Sequence, residues 1–358
     1  MYEFTREFSL RGGRIYFLYV PTEWYSGFSA KYHREMSECW DFFHVIPPKK
    51  KLGFPKDSQS MDIDCIWYTA IEDTLKWLSA SVNFDAVICH YIFLSKAFTF
   101  LPDNVFKILY THDRFSDRAK VLSDQGLKPD YFYTSRSEEG RAFDRADLVV
   151  AVKNTEADFF KNLSGTPVMT IGHAGQPTPV PFKPIQGRNI KIGFIGSENA
   201  VNAENINKFL SLYNDALSEL KNIEMVFAGR ICNLINAGSL PHKMLGMVDS
   251  VTTFYEEVDL VFVPFTFSTG IKIKAIEAMA HHVPIIMTHN AADGLPVRAA
   301  EHQCSNLDAF FEILRNISKN PDTLITLQKE SENIYKLIRQ EIDHSIDEII
   351  FTIKHQGK

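Results

Sequence analysis

The stretch Val261–Thr288, VFVPFTFSTGIKIKAIEAMAHHVPIIMT, decides how the chain is read. Asp259–Phe265 is a short apolar run and predicts a buried strand. Ser268-Thr269-Gly270 is a small polar turn, Ile271–His281 has helical periodicity, and Val283–Thr288 predicts a second buried strand. A strand, a small-residue turn and a helix bring free backbone N–H groups and a positive dipole end to one point, which favours phosphate. Thr269, Ile273 and Glu277 are spaced to share one face of the helix, with Lys274 on a neighbouring face. A carboxylate below a phosphate-binding turn is placed to accept both hydroxyls of a ribose. The expectation is a nucleotide-diphosphate site: Ser268, Thr269, Gly270, Ile271 and the lysines Lys272 and Lys274 for phosphate, Glu277 for the sugar of the nucleoside. The plainer alternative is a solvated Glu277 on an ordinary helix, because a lone glycine turn is a weak motif.

The same run, with AADGLP after it, resembles the donor-binding segment of retaining glycosyltransferases of the B-type fold, the group known as family 4. Many members carry two glutamates seven residues apart; Glu277 matches the second and Thr269 stands at the first. A subset has a Gly/Ser/Thr turn with following basic residues, and this chain is similar to that subset. The resemblance implies two Rossmann-like α/β domains facing a cleft, with nucleotide-sugar donor in the second and a glycan or lipid-linked acceptor in the first. It implies hexosyl transfer with retention, in polysaccharide biosynthesis at the cell envelope.

The opening departs from that pattern. Tyr2–Leu10 predicts a helix ended by Gly12-Gly13, and Arg14–Val20 a strand. An α/β domain of this type opens on a strand and a Gly-containing loop. SLRGGRIYFLYV resembles the end of the family's first helix and its second strand, so the first strand is expected to be missing. A fragment, a mis-set start and a degenerate domain all fit that pattern.

Further along, VFKILYTHD (Val105–Asp113) is a strand carrying Thr111-His112-Asp113 at its carboxyl end, where open α/β sheets bind ligands. His112 suits hydrogen bonding to a sugar hydroxyl or phosphate oxygen, and is equally read as a core histidine. Asp113 reads as a candidate helix cap as well. LYTHDRFSDR resembles the HD-x-F-x-x-R of the subset, which implies His112 near the donor sugar, with Asp113 and Arg114 as secondary candidates. His173, at the end of PVMTIGH, is another. Glu138 and Glu139 read as solvated, and Asn154 as the cap of the helix Thr155–Leu163.

Domain limits follow from composition. Residues 1–174 form the expected acceptor domain, the proline-rich 175–190 a linker, 191–335 the donor domain, and 336–358 a C-terminal helix returning to the first domain. Within the donor domain KIGFIGS runs into a second small-residue turn: Gly196 and Ser197, then Asn199 and Asn202 before the next helix. This resembles the family's GS-x-x-x-x-N loop. The basic pair that some members use there is absent, which leaves Lys272 or Lys274, with Arg230 at the end of IEMVFAG, to hold the diphosphate. LGMVD resembles the family's LG-x-V-D and implies Val248 beside the nucleobase.

Composition bounds the alternatives. The chain has 358 residues, 45% hydrophobic and 23% charged, with net charge −6, which argues for two domains and against nucleic-acid binding. Five scattered cysteines fit a reducing cytosol and no zinc site. No apolar run reaches the ~18 residues of a membrane span. PPKKKLGFPKD (47–57) is a basic loop, read either as a solvated surface or as a peripheral contact with an anionic membrane. No DxD motif is present and no metal or cofactor is expected. A catalytically inactive binding module, or a fragment of a larger transferase, is the reading from another class; a nucleotide-sugar epimerase is a third.

Overall fold

The structure, a computed structural model, describes residues 2–21, 30–46, 60–129, 131–173, 175, 177–268 and 270–355. The 47–57 loop and Thr269 therefore lie outside the described residues. The chain forms two compact units, 1–172 with 342–358 and 173–341.

The first unit opens on α1 (Tyr2–Leu10), which Gly12, at φ +84°, turns off. β1 (Tyr16–Tyr19), α2 (Ala30–Cys39) and β2 (Phe42–Val45) follow, and β1 and β2 form a two-stranded parallel sheet. After α3 (Thr69–Ser81) come β3 (Ala86–His90) and β4 (Phe106–Tyr110), joined by a 3₁₀ segment over Ile92–Phe100. α4 (Arg118–Ser123), α5 (Arg136–Phe143), β5 (Leu148–Ala151), α6 (Asn154–Phe160) and β6 (Val168–Thr170) complete the unit. β3, β4, β5 and β6 make a separate four-stranded parallel sheet in that order. β5 reads LVVA and is buried throughout, as expected of a strand covered on both faces.

The second unit is a five-stranded parallel sheet. Its elements are β7 (Ile190–Ile195), α7 (Ala200–Ala216), β8 (Ile223–Ala228), β9 (His242–Gly246), α8 (Val251–Glu257) and β10 (Leu260–Val263). α9 (Ile273–Ala280), β11 (Ile285–Met287), α10 (His289–Ala292), α11 (Leu307–Lys319) and α12 (Thr323–His355) follow. The strand order is β11-β10-β7-β8-β9, with β7 central. Register pairs Ile192 with Leu260 on one side and Phe194 with Phe227 on the other. Phe194, Phe209, Phe227 and Phe262 are fully buried and meet ring to ring, so the apolar strands and the inner face of α7 fuse into one core.

Several local expectations need correction. α12 is one helix of 33 residues that begins at Thr323, well before 336; residues to Glu341 group with the second unit and the rest with the first, where Arg11 pairs with Asp343 and Asp347. Asn154 is the first helical residue of α6 rather than its cap, a place taken by Lys153. Asp113 caps no helix: α4 starts five residues later, after Asp117. α9 starts at Ile273, two residues after the periodicity suggests, because Gly270 sits at φ +62° and Lys272 is not helical. Among the described residues no helix is long and apolar enough to cross a membrane.

Candidate functional site

In the second unit the carboxyl end of β7 and the amino ends of α7 and α9 are tied together by side chains. Gly196-Ser197 follows β7, and Asn199 caps α7 by accepting from the Asn202 N–H at 2.8 Å. The Asn202 amide donates to the Ser197 carbonyl at 2.9 Å, and its Oδ1 accepts from Lys274 Nζ at 2.9 Å. So Lys274, from the first turn of α9, reaches the loop between β7 and α7. Its ammonium lies 4.3 Å from the Phe194 ring centre and 4.7 Å from that of Phe265. The Lys274 side chain is half-buried. Burial, reinforced by the charge of Lys272, pushes its pKa down to about 7.

Lys272 precedes α9, is buried, and donates from Nζ to the Gly270 carbonyl at 2.9 Å. One turn further on, Glu277 accepts from Tyr255 Oη at 3.3 Å. Burial, with the Glu277 charge beside it, holds that phenol well above its ordinary pKa, so Tyr255 stays a donor to the carboxylate. The segment before Ser268 is pinned by buried Asn205, which accepts from the Thr266 N–H at 2.7 Å and donates to the Phe267 carbonyl at 3.1 Å. Ser268 donates to Asn290 Oδ1 at 2.9 Å, and Gly270 and half-buried Ile271 lead into α9.

Arg230 is exposed just past β8, in the same loop region as Gly196: the Ile231 N–H donates to the Gly196 carbonyl at 3.1 Å. Val248 is half-buried two residues beyond β9, whose last residue, Gly246, accepts from the Gly229 N–H at 2.6 Å. Gly229 has φ +84°, and a Cβ there would stand 2.3 Å from the Gly196 carbonyl oxygen. Only glycine lets β8 pass so close to the β7 loop. Gly229→Ala is therefore expected to lower stability by ~2 kcal/mol or more, read as a fall in Tm, and to displace the Gly196 turn. An unchanged Tm would show that the turn relaxes without cost.

In the first unit, His112 follows β4 in the left-handed region, at φ +65°, and Tyr91 after β3 is there too, at φ +73°. Such conformations in non-glycine residues cost ~1–3 kcal/mol each and concentrate at functional sites. The His112 ring stacks on Tyr91 at 4.4 Å, and its Nε2 is 2.8 Å from His90 Nδ1. His90 in turn meets Thr5 Oγ1 at 3.4 Å, and burial lowers its pKa to about 3. A neutral His90 fixes the orientation of the His112 ring. Asp113 accepts from the Arg114 N–H at 2.9 Å and from the Arg118 guanidinium, while Arg114 pairs with Asp117 and lies 3.5 Å from the Phe159 ring centre. Both secondary candidates thus hold the loop after His112. Glu139 is not solvated: it is buried and accepts from the N–H groups of Phe115 and Ser116 at 2.9 and 3.0 Å. Burial raises its pKa, against the pull of those bonds. Glu138 is likewise engaged, accepting from the Ile63 N–H at 3.1 Å. His173 is half-buried with a pKa lowered to about 4 by burial, and it begins the second unit.

The structure therefore joins Gly196, Ser197, Asn202, Lys272, Lys274, Gly270 and Glu277 within one unit, and gives His112 a separate histidine pair in the other. Sequence reasoning missed His90, Tyr91, Glu139, Asn205 and Tyr255. His90 had one visible signal: like His112, it stands at the carboxyl end of a strand of the same sheet.

Residues 189–316 match the family model of Glycosyl transferases group 1. No curated protein matches the chain by sequence. Among solved structures, a sucrose-phosphate synthase from Thermosynechococcus elongatus is 15% identical, with TM-score 0.73 over 98% of this chain and 92% of its own. Anabaena HepE, solved with UDP and glucose, is 14% identical, with TM-score 0.58 over 89% and 88%. TarM is 13% identical, with TM-score 0.60; 80% of this chain is covered, and 58% of TarM. These likenesses show the two-domain B-type fold, and the segment 189–316 is similar to group 1 glycosyltransferases.

Proposed function

We propose that the protein transfers a hexose from a nucleotide-diphosphate sugar to a glycan or lipid-linked acceptor, with retention at the anomeric carbon. The observation that carries this reading is the Lys274 ammonium. It is held by Asn202 between two phosphate-type turns, with Glu277 one turn along the same helix. The match of 189–316 to group 1 transferases covers every one of these residues, and the UDP and glucose bound to Anabaena HepE support a nucleotide-sugar ligand for this fold.

In this account the departing diphosphate gathers negative charge as the glycosidic bond breaks. Lys272, Lys274 and the amino end of α9 supply positive charge and N–H donors there, before reaction and without reorganisation. Arg230 adds a cation from the end of β8. Glu277, kept in place by Tyr255, accepts the ribose hydroxyls, and the backbone near Val248 meets the base. Lysine and arginine neutralise the leaving group themselves, so this scheme routes no step through a metal. Ser268, Gly270 and Ile271 belong to the phosphate turn.

His112 orients the transferred sugar, with His90 setting its tautomer. His112→Ala is then expected to cut kcat/KM with the sugar donor by ~10- to 100-fold and to leave the Kd for free nucleotide within about twofold. Equal losses in both measurements would remove His112 from the sugar.

A further inference from the structure

His281, just past the end of α9, is a buried ionisable group to which the scheme above gives no role. Both of its ring nitrogens are engaged. Nδ1 lies 2.9 Å from the Glu277 carbonyl oxygen, and Nε2 lies 3.4 Å from Thr252 Oγ1. A carbonyl only accepts, so Nδ1 carries the proton, Nε2 is the acceptor, and the Thr252 hydroxyl donates to it. Burial lowers the His281 pKa, which keeps the ring neutral and this tautomer in place.

The ring joins two helices. On the α9 side, the Glu277 carbonyl also accepts from the His281 backbone N–H at 3.0 Å, and the chain then leaves the helix through His282, at φ +56°. On the α8 side, the His281 ring stacks on Tyr255 at 4.2 Å, with the planes 26° apart, and Thr252 stands one turn before Tyr255 on the same helix. Tyr255 is fully buried, and its hydroxyl points between Glu277 Oε2 at 3.3 Å and the Lys274 carbonyl at 3.4 Å. His281 therefore meets Glu277 twice, directly at the backbone and through Tyr255 at the carboxylate. Thr252 lies in the first turn of α8, four residues past Val248. A side chain that clamps the start of α8 to the end of α9 sets the spacing between the segment assigned to the base and the carboxylate assigned to the ribose.

We propose that His281 is the positioning residue for the nucleoside half of the site: it aims the Glu277 carboxylate at the ribose through Tyr255 and fixes α8 against α9 through Thr252. This rests on the reading of Glu277 as the ribose acceptor, and it adds the residue that makes that acceptor selective. A carboxylate takes two bonds from neighbouring hydroxyls only when its plane is held, so preorganisation converts directly into preference for a diol. The diphosphate groups are placed differently. Lys272 and Lys274 stand at the amino end of α9 and His281 beyond its carboxyl end, so loss of His281 removes preference for ribose over 2′-deoxyribose and leaves the grip on the diphosphate.

The test measures Kd for UDP, GDP and ADP, for the 2′-deoxy counterpart of each, and for inorganic pyrophosphate. The proteins are the wild type, His281→Leu, Thr252→Val, Glu277→Ala and the double variant His281→Leu/Glu277→Ala. Leucine fills the space but neither stacks nor hydrogen-bonds; valine keeps the shape of Thr252 and leaves Nε2 without its donor. The wild type is expected to favour the ribonucleotide of its preferred base by about tenfold or more, and His281→Leu by about threefold or less. Thr252→Val should move the same way by a smaller step, and pyrophosphate should bind within about twofold in all three. In the Glu277→Ala background, His281→Leu should change no Kd further. Full ribose preference in His281→Leu and Thr252→Val would overturn the proposal. So would equal losses for ribonucleotide, deoxynucleotide and pyrophosphate, which would make His281 a packing residue; both results leave the reading of Glu277 standing. A wild type that binds none of the nucleotides, or binds one without preference for ribose, would overturn that reading and this proposal with it.

Discussion

Lys274→Ala lowers kcat/KM for the sugar donor by ~100- to 1,000-fold, the effect expected when a preorganised charge is removed from a leaving group. The size follows from where the ammonium sits. Between the rings of Phe194 and Phe265, with Asn202 Oδ1 accepting from it, it is poorly solvated and ready for an anionic partner. Lys274→Met, which keeps the aliphatic stem, separates charge from packing and should lose as much activity with less loss of stability. The pH dependence has opposite signs for binding and for folding. Without ligand the pKa is about 7, so above that pH a diphosphate must bring a proton to Lys274 as it binds. Affinity for a nucleotide sugar, whose diphosphate has no ionisation near neutrality, should fall as pH rises from 7 to 9. Stability of the ligand-free protein should rise over the same window: the folded pKa lies below the ordinary lysine value, so the unfolded chain binds more protons there. In Lys274→Met both slopes should flatten. A wild-type affinity independent of pH would place the diphosphate elsewhere.

Glu277→Ala weakens nucleotide binding by ~1–3 kcal/mol, roughly 5- to 150-fold in Kd, as for loss of a charged hydrogen-bond acceptor. The carboxylate is pre-positioned. Tyr255 donates to it from α8, and Tyr255 is itself locked by burial and by stacking on His281 at 4.2 Å. Tyr255→Phe should give a smaller loss in the same direction, since the carboxylate remains but turns more freely. A Kd unchanged in both variants would leave Glu277 as a helix side chain with no ligand.

How much of this was legible in the sequence differs from residue to residue. The second sheet was readable because KIGFIG, IEMVFAG, DLVFVPF and VPIIMT are continuous apolar runs, and such runs in alternation with helices make a buried parallel sheet. The bonds that build the site were not. Lys274 finds Asn202 seventy-two residues away, and Asn205 finds Thr266 across sixty-one. Local patterning names the kind of side chain at the end of an element, not its distant partner. Glu139 illustrates the failure. In SRSEEGRAF it looks like any solvated helix carboxylate, and only the fold turns it onto the N–H groups of Phe115 and Ser116. Asp113 failed likewise, because α4 starts five residues later and the carboxylate pairs with Arg118 instead. His112 is an intermediate case: its place at a strand end could be read, but its positive φ and its bond to His90 could not.

The most direct test of the account is a titration of the wild type and Glu277→Ala with UDP, GDP, ADP, CMP and dTDP, followed by thermal shift. The account predicts that one nucleotide, at about 100 times its Kd, stabilises the wild type by roughly 2.7 kcal/mol and the variant by clearly less. Stabilisation by none of the five, or an equal shift in both proteins, would contradict a nucleotide site at α9.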